Sequence, residues 1–383
     1  MFLRSFTVFR LFIVCSFLPV LLFAACQNTQ SSKTSKEPAY RVDSLKYAQG
    51  FILKHVESEQ LVKVINPWQH ASQVSFSYLL SDNPDRQTLQ IQTPVKRVVC
   101  LSTTHLAFID ALNEHQSVVG ITNPNLISNT MIRKQITEGT THDVGNEPAL
   151  NYETILNLNP DVIFAYSVGA EAQGMYQKFS EWGIPVVMVA EYLETSPLAK
   201  AEWIKFFARF YNKSSLADSL FDSLENSYNN FKSLVINTSE RPKILSSLPF
   251  KDIWYVPGGN SFMARFIHDA GGDYLWSEDT SRESLALSIE HVFHRGQEAD
   301  IWIHTGLAQS VDDIIKADPR MANLRPVKLG KVYNNNKLMT ESMGNDFWES
   351  GVMHPHLILK DLIRIFHPEV LQDTVFTYYQ HLP

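Results

Sequence analysis

From Arg97 onward, short runs of consecutive apolar residues alternate with amphipathic stretches. "RVVCLS" (97–102), "VVGIT" (118–122), "DVIFAY" (161–166) and "PVVMVA" (185–190) read as buried strands, with helices near 105–113 and 171–182 between them. That alternation predicts an α/β fold with parallel sheets. A helical stretch follows from Ser196 to about Val235, broken at "NKSS" (212–215), where Ser215 is placed to cap the second helix. Leu216, Leu220, Leu224, Tyr228, Phe231 and Val235 recur there at three or four residues, giving one apolar stripe. Some twenty helical residues span about 30 Å, the width of a small lobe. The strand pattern restarts at "PKILSSLP", so the long helix is expected to join two lobes.

Before Arg97 the periodicity is different. "FILKHV", "LVKVIN", "VSFSYLL" and "LQIQT" are short β-type runs between turn-forming residues, predicting a small β-rich appendage. The organisation expected is therefore a leader at 1–26, a tether at 27–39, the appendage at 40–95, an N-terminal lobe at 96–212, an inter-lobe helix at 213–237 and a C-terminal lobe at 238–383.

The two lobes repeat a pattern. "NYETILNLNPDVIFAY" (151–166) and "SIEHVFHRGQEADIWIH" (288–304) each place a small capping residue, Asn151 or Ser288, two positions ahead of a glutamate. Glu153 and Glu290 are followed by a short helix and then by an aspartate, Asp161 or Asp300, that leads into an apolar strand. An acid in the first helical turn is stabilised by the macrodipole, by about 0.3–1 kcal/mol, and needs no further role. Equivalent placement in both lobes shifts the reading toward two matched contact points.

Composition narrows the function classes. With 383 residues, 44% of them apolar, the chain can bury more than one core, and a net charge of −7 argues against a nucleic-acid partner. Arg4 and Arg10 precede an apolar run from Leu11 to Ala25 that is short for a bilayer and ends in small residues, as an export signal does. "FAAC" resembles a bacterial lipobox, which makes Cys26 the expected lipid-bearing residue, and "QNTQSSKTSKEP" behind it reads as a flexible tether. Cys100, the one other cysteine beyond the leader, lies in an apolar run and is expected to be an inert core thiol.

Catalytic patterns are missing: there is no G-x-S-x-G, no Walker loop and no G-x-G-x-x-G, so no catalytic residue is expected. His105, His291, His294, His304, His354 and His356 are scattered rather than clustered, so no metal site is expected either. Aromatics near Gly- and Asn-rich turns are better ligand candidates. "FKDIWYVPGGN" (250–260) and "GNDFWESG" (344–351) place Trp254, Tyr255 and Trp348 there, and an aromatic cleft suits a flat, bulky ligand.

These segments, taken in order, identify a family. From Arg97 to about Pro368 the chain resembles the class III substrate-binding lipoproteins of ABC importers, through "RVVCLSTTHLAFIDALNEHQSVVGIT", "VGNEPALNYETILNLNPDVIFAY", "WGIPVVMV", the long helix, "VPGGNSFMARFIHDAGGDYLW", "SIEHVFHRGQEADIWI", "DPRMANLRPVKLGKVYNNN" and "LILKDLIRIFHPE". The resemblance implies two Rossmann-like lobes joined by a rather rigid helix, with a ferric siderophore, haem or cobalamin held between them. It implies a monomer held to a membrane of the bacterial cell envelope by lipid on Cys26, facing the periplasm. The partner implied is a dimeric ABC permease with its ATPase, whose arginines receive Glu153 and Glu290. By position, Thr103, Thr104, His105, Tyr166, Ser167, Trp254, Tyr255, Arg282 and Trp348 should border the cleft. The function expected is capture of a ferric siderophore or related iron complex, with no resident cofactor. A cobalamin carrier of the same class, or a haem scavenger working without a transporter, are the alternatives.

Overall fold

The computed structural model describes residues 40–383 apart from 57–58, 84–89, 147, 170–172 and 372–374. The expected export signal, the lipid-bearing Cys26 and the tether lie outside the described residues. Tyr40–Pro383 forms one compact unit.

Alternating apolar residues build the appendage. Strands β1 (Arg41–Val42), β2 (Phe51–Val56), β3 (Glu59–Ile65), β4 (Ser75–Ser81) and β5 (Gln90–Gln92) form one sheet in sequence order, antiparallel except for the β4–β5 pair. Phe51, Leu53, Val62, Val64 and Leu80 point inward. Phe51 packs its ring 4.7 Å from Trp203 and 5.6 Å from Phe206. Two acids of the main body clamp the backbone ahead of β2. Glu202 accepts the N–H groups of Lys46, Tyr47 and Ala48 at 2.9, 2.8 and 2.9 Å. Glu194 accepts those of Gln49 and Gly50 at 3.0 and 2.9 Å, together with the Trp203 indole N–H at 2.9 Å. A Cβ at Gly50 would stand 2.8 Å from the Trp203 ring, so only glycine lets the chain approach so closely.

The N-terminal lobe contains β6 (Val98–Cys100), α1 (Thr103–Ala111), β7 (Val118–Ile121), α2 (Thr130–Glu138), β8 (His142–Asp143), the short antiparallel pair β9 (Gly145–Asn146) and β10 (Ala149–Leu150), α3 (Tyr152–Leu158), β11 (Val162–Ala165), α4 (Gln173–Glu181) and β12 (Val186–Met188). Its main sheet runs β12-β11-β6-β7-β8, parallel throughout. Every residue of β6, β7 and β11 is buried, which is why these strands read as unbroken apolar runs. Cys100 is a free, buried thiol there, its pKa pushed up by desolvation.

Three helices then lead across: α5 (Pro197–Glu202), α6 (Ile204–Phe210) and α7 (Ser214–Ser233). Helix α7 buries Ala217, Phe221, Leu224 and Tyr228, so the inward stripe is shifted from the one expected, with Leu216, Leu220 and Phe231 only half-buried. Its N-cap is Lys213 without a side-chain cap, not Ser215. The start of α7 is tied to the first half of the molecule, where Tyr47 meets the Phe221 ring at 6.1 Å and Lys205 approaches Asp218 at 3.5 Å. Its end is tied to the second half, where the Tyr228 hydroxyl donates to Asp269 at 3.1 Å and Lys232 pairs with the same carboxylate at 3.0 Å.

The C-terminal lobe follows with β13 (Lys243–Ser246), β14 (Pro249–Phe250), β15 (Ile253–Val256), α8 (Phe262–Asp269), β16 (Asp273–Tyr274), β17 (Leu285–Ser288), α9 (Ile289–Gly296), β18 (Ile301–Ile303), α10 (Val311–Ala317), α11 (Arg325–Lys328), β19 (Tyr333–Asn334), α12 (Pro355–Phe366) and β20 (Gln380–His381). Its parallel sheet runs β16-β13-β18, with a further parallel bridge from Trp302 to Val332. A separate antiparallel sheet, β14-β15-β17, stands beside it. The repeated aspartates have a structural use. Asp161 accepts the backbone N–H groups of Lys96 and Arg97 at 2.7 and 2.9 Å, and Asp300 accepts that of Lys243 at 2.8 Å. Each acid thereby fixes the start of the neighbouring central strand, β6 or β13.

Candidate functional site: the inter-lobe cleft

In a parallel sheet the chain turns at the carboxyl ends of the strands, and ligands collect in the crevice outside them. Between the lobes lies a cleft of about 860 Å³. Its N-terminal wall holds Thr104, at the start of α1 behind β6, and Glu191, Tyr192 and Leu193, just after β12. Its C-terminal wall holds Ser247 to Phe250 after β13, Ser261 to Met263 at the start of α8, and His304 after β18. Met343, Asn345 and Trp348 also line it.

At the floor, a polar cluster is built from the N-terminal lobe. Ser102 caps α1, and its hydroxyl lies 2.9 Å from that of Thr104. The Thr104 hydroxyl in turn donates to Glu191 Oε1 at 2.8 Å. Glu191 is 2% exposed and its buried Oε2 has no hydrogen-bond partner among the described residues. Lys200 reaches the same floor with its Nζ 4.1 Å over the Phe262 ring, a cation–π contact from one lobe to the other. Burial lowers the Lys200 pKa, while the charges of Glu191 and Glu194 oppose that shift. Across the cleft, His304 has a left-handed backbone (φ 59°) that turns its ring onto Tyr379, whose hydroxyl bonds Nε2. Burial takes this imidazole down to about 3, so it is neutral at physiological pH.

Of the residues expected at the cleft, Thr104, Arg282 and Trp348 are on its wall, the last 47% exposed. Thr103 is half-buried beside Thr104 and does not line it. Tyr166 and Ser167 do not line it either: the Tyr166 ring is 6.4 Å from that of Tyr192, and the Ser167 carbonyl accepts the Tyr192 hydroxyl at 2.6 Å. They position Tyr192 instead of facing the cleft.

Three further expectations are corrected. His105 is fully buried against Phe164 and Phe207, its ring taken down to about 4 by desolvation, and belongs to the core. Trp254 is also fully buried, with its indole N–H on the Ser246 carbonyl at 3.2 Å and its ring 5.7 Å from Trp302. Tyr255 is 45% exposed but lies off the cleft. The reason is the pleat of β15: Trp254 and Val256 point into the core, and Ile253 and Tyr255 point to the solvent face. The cleft begins only at Pro257, beyond the strand.

Glu191, Tyr192, Lys200, Phe250, Phe262 and His304 were not anticipated as cleft residues. A usable signal existed for several. Glu191 with Tyr192 and His304 sit within a few residues of the carboxyl end of a parallel strand, whereas Trp254 sits on the antiparallel hairpin whose first strand ends in Phe250.

The twin glutamates are both exposed. Glu153 is in the first turn of α3, where Asn151 Oδ1 accepts the Thr154 N–H at 3.0 Å. Glu290 is in the first turn of α9, where Ser288 Oγ accepts the His291 N–H at 3.3 Å. They differ in company. Arg320 Nη1 lies 3.5 Å from Glu290, which remains 77% exposed, and no ion pair to Glu153 occurs among the described residues. Among those residues, no group of three or more His, Cys, Asp or Glu side chains is arranged to hold a metal ion, and no helix is long and apolar enough to cross a membrane.

Two Rossmann-like lobes around a ligand-sized cleft define the architecture of a solute-binding protein. The periplasmic binding protein family model matches residues 98–337, and the chain belongs to that family. An uncharacterized lipoprotein of Methanocaldococcus jannaschii is 31% identical over 291 residues, covering 74% of this chain and 67% of that protein. A second uncharacterized lipoprotein of that organism is 25% identical over 371 residues, covering 92% of this chain and 90% of its own. Among solved structures, the molybdate periplasmic binding protein of a Haemophilus influenzae ABC transporter is similar at TM-score 0.58 and 18% identity, over 75% of this chain and 90% of that one. A possible iron-binding periplasmic protein from Staphylococcus epidermidis is similar at TM-score 0.57 and 16% identity, over 71% of this chain and 99% of that one. The heme-binding protein of Roseiflexus reaches TM-score 0.55 at 20% identity, over 72% and 99%. At these identities the structural likeness speaks for the fold alone.

Proposed function

We propose that this protein is the substrate-binding component of an ABC importer that captures a ferric siderophore or related iron complex. The observation that carries the reading is the cleft itself, about 860 Å³ with Tyr192, Phe250, Phe262 and Trp348 on its walls and with Lys200 and Arg282 set among the carboxylates of Glu191, Glu194 and Glu283. Such a space is far larger than a bare metal ion or a small oxyanion needs, and matches a bulky chelate with apolar and polar parts. Iron delivered already wrapped in its chelator asks for no set of protein ligands. The exposed carboxylates of Glu153 and Glu290 offer one contact per lobe to arginines of a dimeric permease, whose fork geometry matches a carboxylate. Lipid on Cys26 would hold the protein at the membrane surface beside that permease, in line with the two lipoprotein relatives.

The test is a tryptophan-fluorescence titration of the purified chain with ferric ferrichrome, cobalamin and haem, alongside absorbance and mass spectra of whatever co-purifies. Saturable binding of the ferric chelate in preference to the other two is expected. Saturation only by the corrinoid or haem would overturn the iron reading, and no saturation by any of them would overturn the proposed ligand class.

A further inference from the structure

The appendage lies ahead of the family match at 98–337, yet it reaches the cleft. A recess of about 360 Å³ opens between its turn at residues 65–71 and the two lobes. The recess and the main cleft share Gln69, Leu193, Glu194, Arg282 and Glu283, so they have a common wall. The appendage contributes Asn66, Trp68 and His70 to the recess, none of which lines the main cleft.

The turn is built to hold its shape. Asn66 and His70 have left-handed backbones (φ 47° and 60°), the Asn66 N–H donates to Val74 O at 2.8 Å, and the Ala71 N–H donates to Trp68 O at 3.1 Å. Trp68 is buried with its ring 6.1 Å from Phe76. The Ile65 N–H donates to Gly50 O at 2.8 Å, next to the backbone that Glu194 clamps. The turn is thus tied to the N-terminal lobe, whereas Arg282 and Glu283 belong to the opposite lobe.

The geometry points to this recess as a second ligand subsite, a third wall of the cleft that receives a hydroxyl- and amide-bearing arm of the bound chelate. It rests on the chelate reading of the main cleft. The chemistry of the lining sets the class of arm. Asn66, Gln69 and His70 supply donors and acceptors, and Arg282 shares the lining with the carboxylates of Glu194 and Glu283, so the site offers hydrogen bonds of both kinds and suits a polar arm. The metal-bearing core sits in the main cleft, and the arm lies over the appendage.

Paired probes separate core from arm: ferric tris(acetohydroxamate) against ferric ferrichrome, which adds a peptide ring, and cobinamide against cobalamin, which adds a nucleotide loop. The full chain carries Asn66→Gly with His70→Gly, which strips two recess side chains at positions whose positive φ glycine tolerates. A second variant, Ala71→Trp, fills the recess. For whichever pair the wild type binds, the arm-bearing member should lose at least fivefold in affinity in the first variant and more in the second, with the core member unchanged within twofold. Equal effects on both members, or none on either, would overturn the subsite while leaving the chelate reading intact. Failure of the wild type to bind any of the four probes would sink the chelate reading and the subsite with it.

Discussion

The two lobes share a strand order and differ in what was added to it. In the N-terminal lobe the order β11-β6-β7 is flanked by β12 and β8; in the C-terminal lobe β18-β13-β16 repeats its core, and the parallel bridge at Val332 takes the place of β12. Both lobes set an acid in the first turn of the helix before the strand β11 or β18, and both pin the neighbouring strand with the aspartate that follows. The additions fall on opposite sides of the cleft. The N-terminal lobe carries the five-stranded appendage, clamped by Glu194 and Glu202. The C-terminal lobe carries the hairpin sheet β14-β15-β17, whose first strand ends in the cleft residue Phe250 and whose last runs into α9 and Glu290. The shared part makes the cleft and the paired acids, and the unshared parts shape its walls.

If the acids are a matched pair, breaking both should give the largest effect. Charge reversal at Glu153 and Glu290 together should cut transporter-dependent uptake by at least tenfold with ligand affinity unchanged; wild-type uptake in the double variant would remove the docking proposal. Because Arg320 already stands beside Glu290, Glu153→Lys alone should cost more uptake than Glu290→Lys alone. The appendage offers a stability contrast. Glu202→Ala leaves three backbone N–H groups without their acceptor, which should cost about 3–5 kcal/mol, read by denaturant unfolding.

The two tryptophans once expected to share the cleft should now separate. Trp254→Ala should destabilise by about 3–5 kcal/mol through its buried cavity, with little change in affinity for ligand. Trp348→Ala should leave the midpoint of unfolding close to wild type and weaken ligand binding by about 1–3 kcal/mol. Loss of affinity with Trp254 and not with Trp348 would reverse the assignment.

The smallest effect concerns the seam between the lobes. Glu349 accepts the N–H groups of Ser128 and Asn129 at 2.8 and 2.7 Å, and Gly344 runs so close to the other lobe that a Cβ there would lie 2.0 Å from Leu126 O. Burial lifts the Glu349 carboxyl to about 7, with repulsion from Asp346 and Asp110 adding to the shift, against the two N–H bonds. A folded-state pKa above the unfolded value of about 4.3 gives stability that is complete below that value and lost as pH rises through about 7. Thermal midpoints measured from pH 5 to 8 should therefore fall in the wild type and fall less in Glu349→Gln; parallel curves would contradict the assignment.

Legibility followed the physics of each signal. Strands β6, β7, β11 and β12 were readable because buried parallel strands are apolar on both faces, and Glu153 and Glu290 because a capping residue and an acid at fixed spacing mark a helix start. Side-chain direction was less so. Trp254 and Tyr255 are neighbours in sequence and face opposite sides of β15, and nothing local says which side is buried or that neither borders the cleft. The stripe of α7 slipped from Leu216 and Leu220 to Ala217 and Phe221, because a helix that packs on α5, α6 and α12 buries more than one narrow face.

By itself, then, the sequence determined the architecture and the repeated acid, since periodicity and capping are local properties that a chain carries wherever it folds. The walls of the cleft were decided only by tertiary structure. Glu191, Lys200 and His304 gain their positions from partners far away in sequence, Thr104, Phe262 and Tyr379, and the appendage turn meets Arg282 only because two buried carboxylates hold the β-sheet against the N-terminal lobe. Such contacts depend on long-range packing, and no stretch of sequence contains them.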